Sequence, residues 1–153
     1  MSTAPLPDLV TTVSVPARPD RAFAVFVDEV GAWWPLAGFS VGGASSSVAF
    51  ERDPDGRATR LVETLADGGS ADWGTVTRWD PPHSLAFTWH PGEQADAATR
   101  VEVTFTPDGD ATVVALTHSG WEARADGGAA RTRYGTGWKL VLQPFAEHAA
   151  ATR

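Results

Sequence analysis

Residues 73–90 read Trp73-Gly74-Thr75-Val76-Thr77-Arg78-Trp79-Asp80-Pro81-Pro82-His83-Ser84-Leu85-Ala86-Phe87-Thr88-Trp89-His90. Two runs rich in aromatic and β-branched residues flank a double proline. Proline lacks the N–H that a sheet ladder needs, so residues 80–83 read as a tight break between strands at 73–79 and 84–90. In the second strand Leu85, Phe87 and Trp89 alternate onto one face. The break is too short for the crossover a parallel pair requires, so the two strands are antiparallel.

The same logic extends in both directions. Downstream, residues 100–106 and 111–119 flank Pro107-Asp108-Gly109-Asp110 as a further hairpin. Upstream, residues 47–52 and 57–65 flank Asp53-Pro54-Asp55-Gly56, where proline fixes φ and glycine accepts positive φ. Residues 9–15 form a first strand, ended by Pro16. Pro19 then suits a first helical turn. Phe23, Phe26, Val27 and Val30 follow at helical spacing, Gly31 is placed as the C-terminal cap, and Trp33-Trp34-Pro35 closes a second short helix or turn. A long helix is expected from about 129 to 150, with Tyr134, Trp138, Val141 and Phe145 as its buried stripe and Pro144 as a kink or break. The whole reads as one α+β domain over residues 1–153, with a curved antiparallel sheet wrapped around the C-terminal helix.

Composition narrows the function classes. The net charge of -7 opposes a nucleic-acid surface, which needs clustered Lys and Arg to neutralise phosphates. The absence of cysteine removes disulfides, thiolate metal sites and thiol catalysis together. No apolar run reaches the ~20 residues of a membrane span. The start Met1-Ser2-Thr3-Ala4-Pro5 lacks the charged and apolar segments of a signal peptide, so a cytoplasmic location is expected. His90-Pro91-Gly92-Glu93 lies in a loop without a further ligand at metal spacing, so no metal and no cofactor are expected.

Several motifs in order resemble a known family. Val15-Pro16-Ala17 precedes a helix with Ala22-Phe23 and ending in Trp33-Trp34-Pro35. There follow Trp73-Gly74-Thr75-Val76, Trp79-Asp80-Pro81-Pro82 and Leu85-Ala86-Phe87-Thr88-Trp89. Thr117-His118-Ser119-Gly120-Trp121 and Gly137-Trp138-Lys139-Leu140-Val141-Leu142 complete the series. Together they resemble the START/polyketide-cyclase/birch-pollen-allergen (SRPBCC) superfamily. The branch they resemble most is the bacterial homologues of the C-terminal domain of the heat-shock protein 90 ATPase activator. The resemblance implies the helix-grip fold and, among its members, ligand carriers, polyketide cyclases and co-chaperones. Full-length activators carry a further N-terminal domain that engages the chaperone. None is seen in this sequence, so a chaperone partner is not expected.

Seven tryptophans in 153 residues imply a wide aromatic interior, either a packed core or a pocket for an apolar molecule. Alternation places Leu61, Phe87, Trp89, Val103 and Leu116 on the inner face of the sheet, opposite Tyr134, Trp138, Val141 and Phe145. Phe26 and Trp34 close the space. The same alternation puts Glu63 and His118 on these apolar faces, where an ionisable group needs a partner, water or a ligand. They either line the pocket and orient a polar group of the ligand, or act as acid and base in a cyclase-like or hydrolase-like enzyme, or satisfy local bonds. In the last case His118 bonds backbone at a strand end or is exposed, and Glu63 meets Arg60 or Arg78. The leading expectation is a binding protein for a small hydrophobic or aromatic molecule, with the enzyme as one alternative. The other alternative is a protein-interaction module or homodimer that exposes Trp33 and Trp34.

Overall fold

The chain runs β1 (Leu9–Val15), α1 (Pro19–Asp28), α2 (Val30–Trp33), β2 (Ser47–Arg52), β3 (Ala58–Thr64), β4 (Ser70–Asp80), β5 (Ser84–Trp89), β6 (Thr99–Asp108), β7 (Ala111–Ser119) and α3 (Gly127–Ala151). The structure, a computed structural model, describes residues 6–151. The reading of residues 1–5 as lacking a signal peptide therefore falls outside the described residues. All strand pairs are antiparallel in the order β1-β7-β6-β5-β4-β3-β2. Only β1 departs from sequence order. The two short helices carry the chain from β1 at one edge to β2 at the other.

The turns form where the sequence placed them, with Gly56 and Gly109 at positive φ. Register shifts at Leu61/Val62 and Val76/Arg78 bend the sheet, as bulges do. The bend brings β4 and β5 very close together at Gly74. A Cβ there would sit 1.7 Å from the Thr88 carbonyl oxygen. α3 packs across the inner face, burying Trp138, Val141, Leu142, Phe145 and Ala149. The resulting arrangement is the α+β helix-grip architecture.

One local expectation is corrected, and another, a kink or break at Pro144, loses its second alternative. Gly31 is no C-terminal cap. It lies inside α2 without positive φ, and its missing Cβ admits the Val48 carbonyl, which would stand 2.8 Å from one. Glu29 ends α1, its N–H donating to the Val25 carbonyl. Pro144 does not break the last helix, which continues to Ala151. Burial of Phe145 and Ala149 just beyond it holds the helix through the missing backbone bond.

Gly74→Ala tests the close approach. Urea unfolding should show a loss of more than about 2 kcal/mol, because the obstacle is backbone that a rotamer change cannot clear. A loss under about 0.5 kcal/mol would contradict the geometry.

Candidate functional site

Glu63, on β3, is fully buried. Its Oε1 accepts the Val41 N–H (2.9 Å) and the Trp73 indole N–H (3.0 Å), and its Oε2 accepts the Gly42 N–H (2.7 Å). Burial pushes its carboxyl up, but contacts with the Ser46 hydroxyl, the two backbone N–H groups and Trp73 outweigh burial and hold it below its ordinary value. The expected arginine partners are elsewhere: Arg60 meets Glu51 and Asp72, and Arg78 meets Ser84 and Glu102. Glu63 thus fastens the loop at 38–46 to the sheet. Trp34 fastens the same loop from the helix side, its indole donating to the Phe39 carbonyl at 2.8 Å.

His118, on β7, is also fully buried rather than exposed, and its ring bonds two side chains rather than backbone. Its Nδ1 lies 3.0 Å from the Trp138 indole nitrogen. An indole N–H only donates, so Nδ1 carries the lone pair and the ring proton is on Nε2. Nε2 meets the Thr99 hydroxyl at 2.6 Å, which in turn donates to the Trp89 carbonyl. Burial, with the Arg124 charge nearby, pushes the imidazole down to about 3. His118 is therefore a neutral ring that orients Trp138.

Between these anchors lies a cleft of ≈ 540 Å³. That is within the ordinary range of small-molecule sites, about 300–1,000 Å³. Trp34, Trp89 and Trp138 form its floor. Phe39, Ser40 and Val41 form one wall, Pro91, Gly92 and Glu93 another, and Tyr134, Gly137 and Val141 of α3 a third, with Arg124 and Arg133 at one end. The floor rings touch one another with centroids 5.1–6.1 Å apart. Each floor indole N–H is already used: Trp34 on Phe39, Trp138 on His118, and Trp89 on the Tyr134 hydroxyl at 2.9 Å. The floor, its rings no more than 7% exposed, therefore offers a ligand an apolar surface and no indole donors.

A family model described as "Activator of Hsp90 ATPase homolog 1-like protein" matches residues 16–150. The chain belongs to this family. Among solved structures, this AHSA1-like chain is similar to protein MLL2253 from Mesorhizobium loti (18% identity, TM-score 0.68, covering 96% of this chain and 99% of that one). It is likewise similar to Aha1 from Colwellia psychrerythraea, solved as a dimer in solution (16%, TM-score 0.61, 95% and 97%). At these identities the likeness speaks for the fold. A third similar structure, the anthrahydroquino-γ-pyrone synthase Txn09, is 30% identical with a TM-score of 0.60 over 94% of this chain and 97% of that one. No curated protein matches.

Of the residues singled out from the sequence, the AHSA1-like fold brings Trp34, Trp89, Tyr134, Trp138 and Val141 to the cleft. Phe26, Leu61, Phe87, Val103, Leu116 and Phe145 are buried in the core away from it. Glu63 and His118 stand behind the cleft walls and present no surface to it. They do not touch each other. A chain of contacts through Trp73, Trp89 and Trp138 joins them. No binding role is read from the sequence for Phe39, Val41, Arg124 or Gly137, and Glu93 is weighed there only as a metal ligand. Four of these lie on loops without periodicity, and only Gly137, a glycine inside a helix, carried a signal.

Glu63→Gln places an amide donor against backbone or indole donors. It should lower stability by about 2–3 kcal/mol at neutral pH. Because the carboxyl is held below 4.5, this advantage is present above pH 4.5 and disappears as pH falls through the lowered value. Equal stability of the variant at pH 7 would contradict the fastening role.

For His118, the unfolded chain takes up a proton near pH 6.5 and the folded protein only near 3. Stability should fall with decreasing pH across this window, by about 1.4 kcal/mol per pH unit. Between pH 6.5 and 4.5, His118→Gln should lose that slope. Parallel curves would mean that the ring is not held neutral.

Proposed function

We propose that this chain binds a small hydrophobic, aromatic molecule in the cleft between the loops at 38–46 and 90–97 and α3, in the cytoplasm. The observation that carries the proposal is the spent state of the three floor indoles. With every N–H satisfied inside the protein, the floor offers a flat ligand a surface for stacking and apolar contact with no polar group to desolvate. Gly137 supports this reading. A glycine in a helix interior costs about 1 kcal/mol relative to alanine, and here a Cβ would meet only Phe39, 3.5 Å away. The position keeps the cleft open at the expense of the helix.

A cyclase-like enzyme is the second reading, favoured by the 30% identity to Txn09, which is named as a synthase of a fused aromatic product. In that case the reacting groups are those that reach the cleft, Tyr134, Arg124 and Glu93, since Glu63 and His118 are sealed behind its walls. The interaction reading has less behind it. Trp33 and Trp34 are buried, and the exposed large apolar residues among the described ones are Val10 on β1, Val41 on the loop at 38–46 and Leu140 on α3. The dimeric Colwellia structure supports a homodimer through fold likeness alone. Among the described residues no helix is long and apolar enough to cross a membrane.

Gly137→Leu separates binding from folding. Its side chain projects into the cleft while its helix propensity exceeds that of glycine. Thermal stability should match or exceed wild type, while quenching of tryptophan fluorescence by anthracene-type probes should weaken at least ten-fold. Unchanged probe affinity in the folded variant would place binding elsewhere.

A further inference from the structure

The side chains lining the cleft are unequal in what they have left to offer. The indole donors are spent, and the Ser40 hydroxyl is spent on the Leu36 carbonyl at 2.6 Å. Arg124 is different. Its side chain is 8% exposed, and it follows the turn Trp121–Ala123 into the end of the cleft. Nε and Nη2 grip the two oxygens of Asp126 at 2.8 and 3.1 Å, a fork that fixes the plane of the guanidinium. Arg133 Nη2 donates to the same Asp126 Oδ2 at 3.2 Å.

What remains of Arg124 is weakly used. Its contact with Glu93 is 3.4 Å, long for a charge-assisted bond, and the Glu93 side chain is 45% exposed on a loop. Nη1 has no partner among the described residues. No buried side-chain nitrogen there lacks a partner, so Nη1 is open to solvent, on a residue that lines the cleft. Tyr134 stands within electrostatic reach of Arg124. Having accepted the Trp89 N–H, its hydroxyl still has a proton to donate. Apart from the loosely held Glu93 carboxylate, the unspent side-chain polar capacity of the cleft is therefore donor capacity, that of Arg124, Arg133 and the Tyr134 hydroxyl.

We infer that the ligand is an aromatic acid, its anionic oxygen (a carboxylate or an enolate-type oxygen) received by Arg124 Nη1 and the Tyr134 hydroxyl in place of Glu93. This rests on the cleft reading above and adds the chemical class of the ligand. A guanidinium held rigid by Asp126 binds such an oxygen with little loss of side-chain freedom. Glu93 is the competing carboxylate that the ligand displaces. The protein as a whole carries a charge of -7, so any preference for an anion must be local.

The test compares 9-anthracenecarboxylate with 9-anthracenemethanol, matched in ring and near in size, by indole fluorescence titration of the whole protein at pH 7. The acid should bind at least about ten-fold tighter than the alcohol. Arg124→Gln should bring that ratio to within about two-fold, and Glu93→Gln, on the exposed loop, should widen it. If Arg124→Gln does not fold, Glu93→Gln decides: an unchanged or narrowed ratio overturns the inference. Equal binding of acid and alcohol by the wild type overturns it too, and leaves the cleft as an aromatic site. Failure of both probes to bind overturns the cleft reading, and the inference with it.

Discussion

A fully buried carboxylate with no cation beside it is tolerated only if hydrogen-bond donors replace the water it gave up. Glu63 meets that requirement with two consecutive backbone N–H groups and one indole. These come from places distant in sequence, the loop at 38–46 and β4, so satisfying one charge fixes a long irregular segment against the sheet. That segment is a wall of the cleft. Gly42 is part of the same constraint, since a Cβ there would stand 2.7 Å from Leu65 and 3.1 Å from Glu63.

His118 performs the corresponding task on the opposite side with the opposite chemistry. It is neutral, and its two nitrogens hold Trp138 through one bond and, through Thr99, the backbone of Trp89. The two ionisable groups that stand out on the inner face thus act as fasteners for aromatic rings and a loop. The consequence is a cleft whose floor is apolar in effect although three of its members carry N–H groups. Its remaining polarity is concentrated where Arg124 and Tyr134 meet the end of the cleft, and this asymmetry gives the site a direction.

The sheet was legible because strand periodicity and turn chemistry are local. The break at Asp80-Pro81-Pro82 and the turn at Asp53-Pro54-Asp55-Gly56 fixed the neighbours of β3, β4 and β5 without reference to the rest of the chain. The burial of Glu63 and His118 followed from alternation as well. Their partners did not. Val41 and Gly42 lie on a loop without periodicity, and Thr99 and Trp138 approach His118 from two different elements. Alternation also tells which face a side chain takes, but not what covers it. Phe87 and Trp89 share a face of β5, yet Phe87 meets Phe50 in the core while Trp89 reaches the cleft. Gly31 misled for a related reason. A glycine after a helical stripe resembles a cap, and only the approach of β2 shows that it is there for space.

Amide hydrogen exchange at Val41 and Gly42 tests the central claim most directly, because these two N–H groups are the ones Glu63 holds. The account predicts protection comparable to that of the β3 amides, far beyond an exposed loop, and its loss at both positions in Glu63→Gln. Exchange of both amides at the rate of an open loop in the wild-type protein would mean that the wall is not fastened, and the account of the cleft would fail with it.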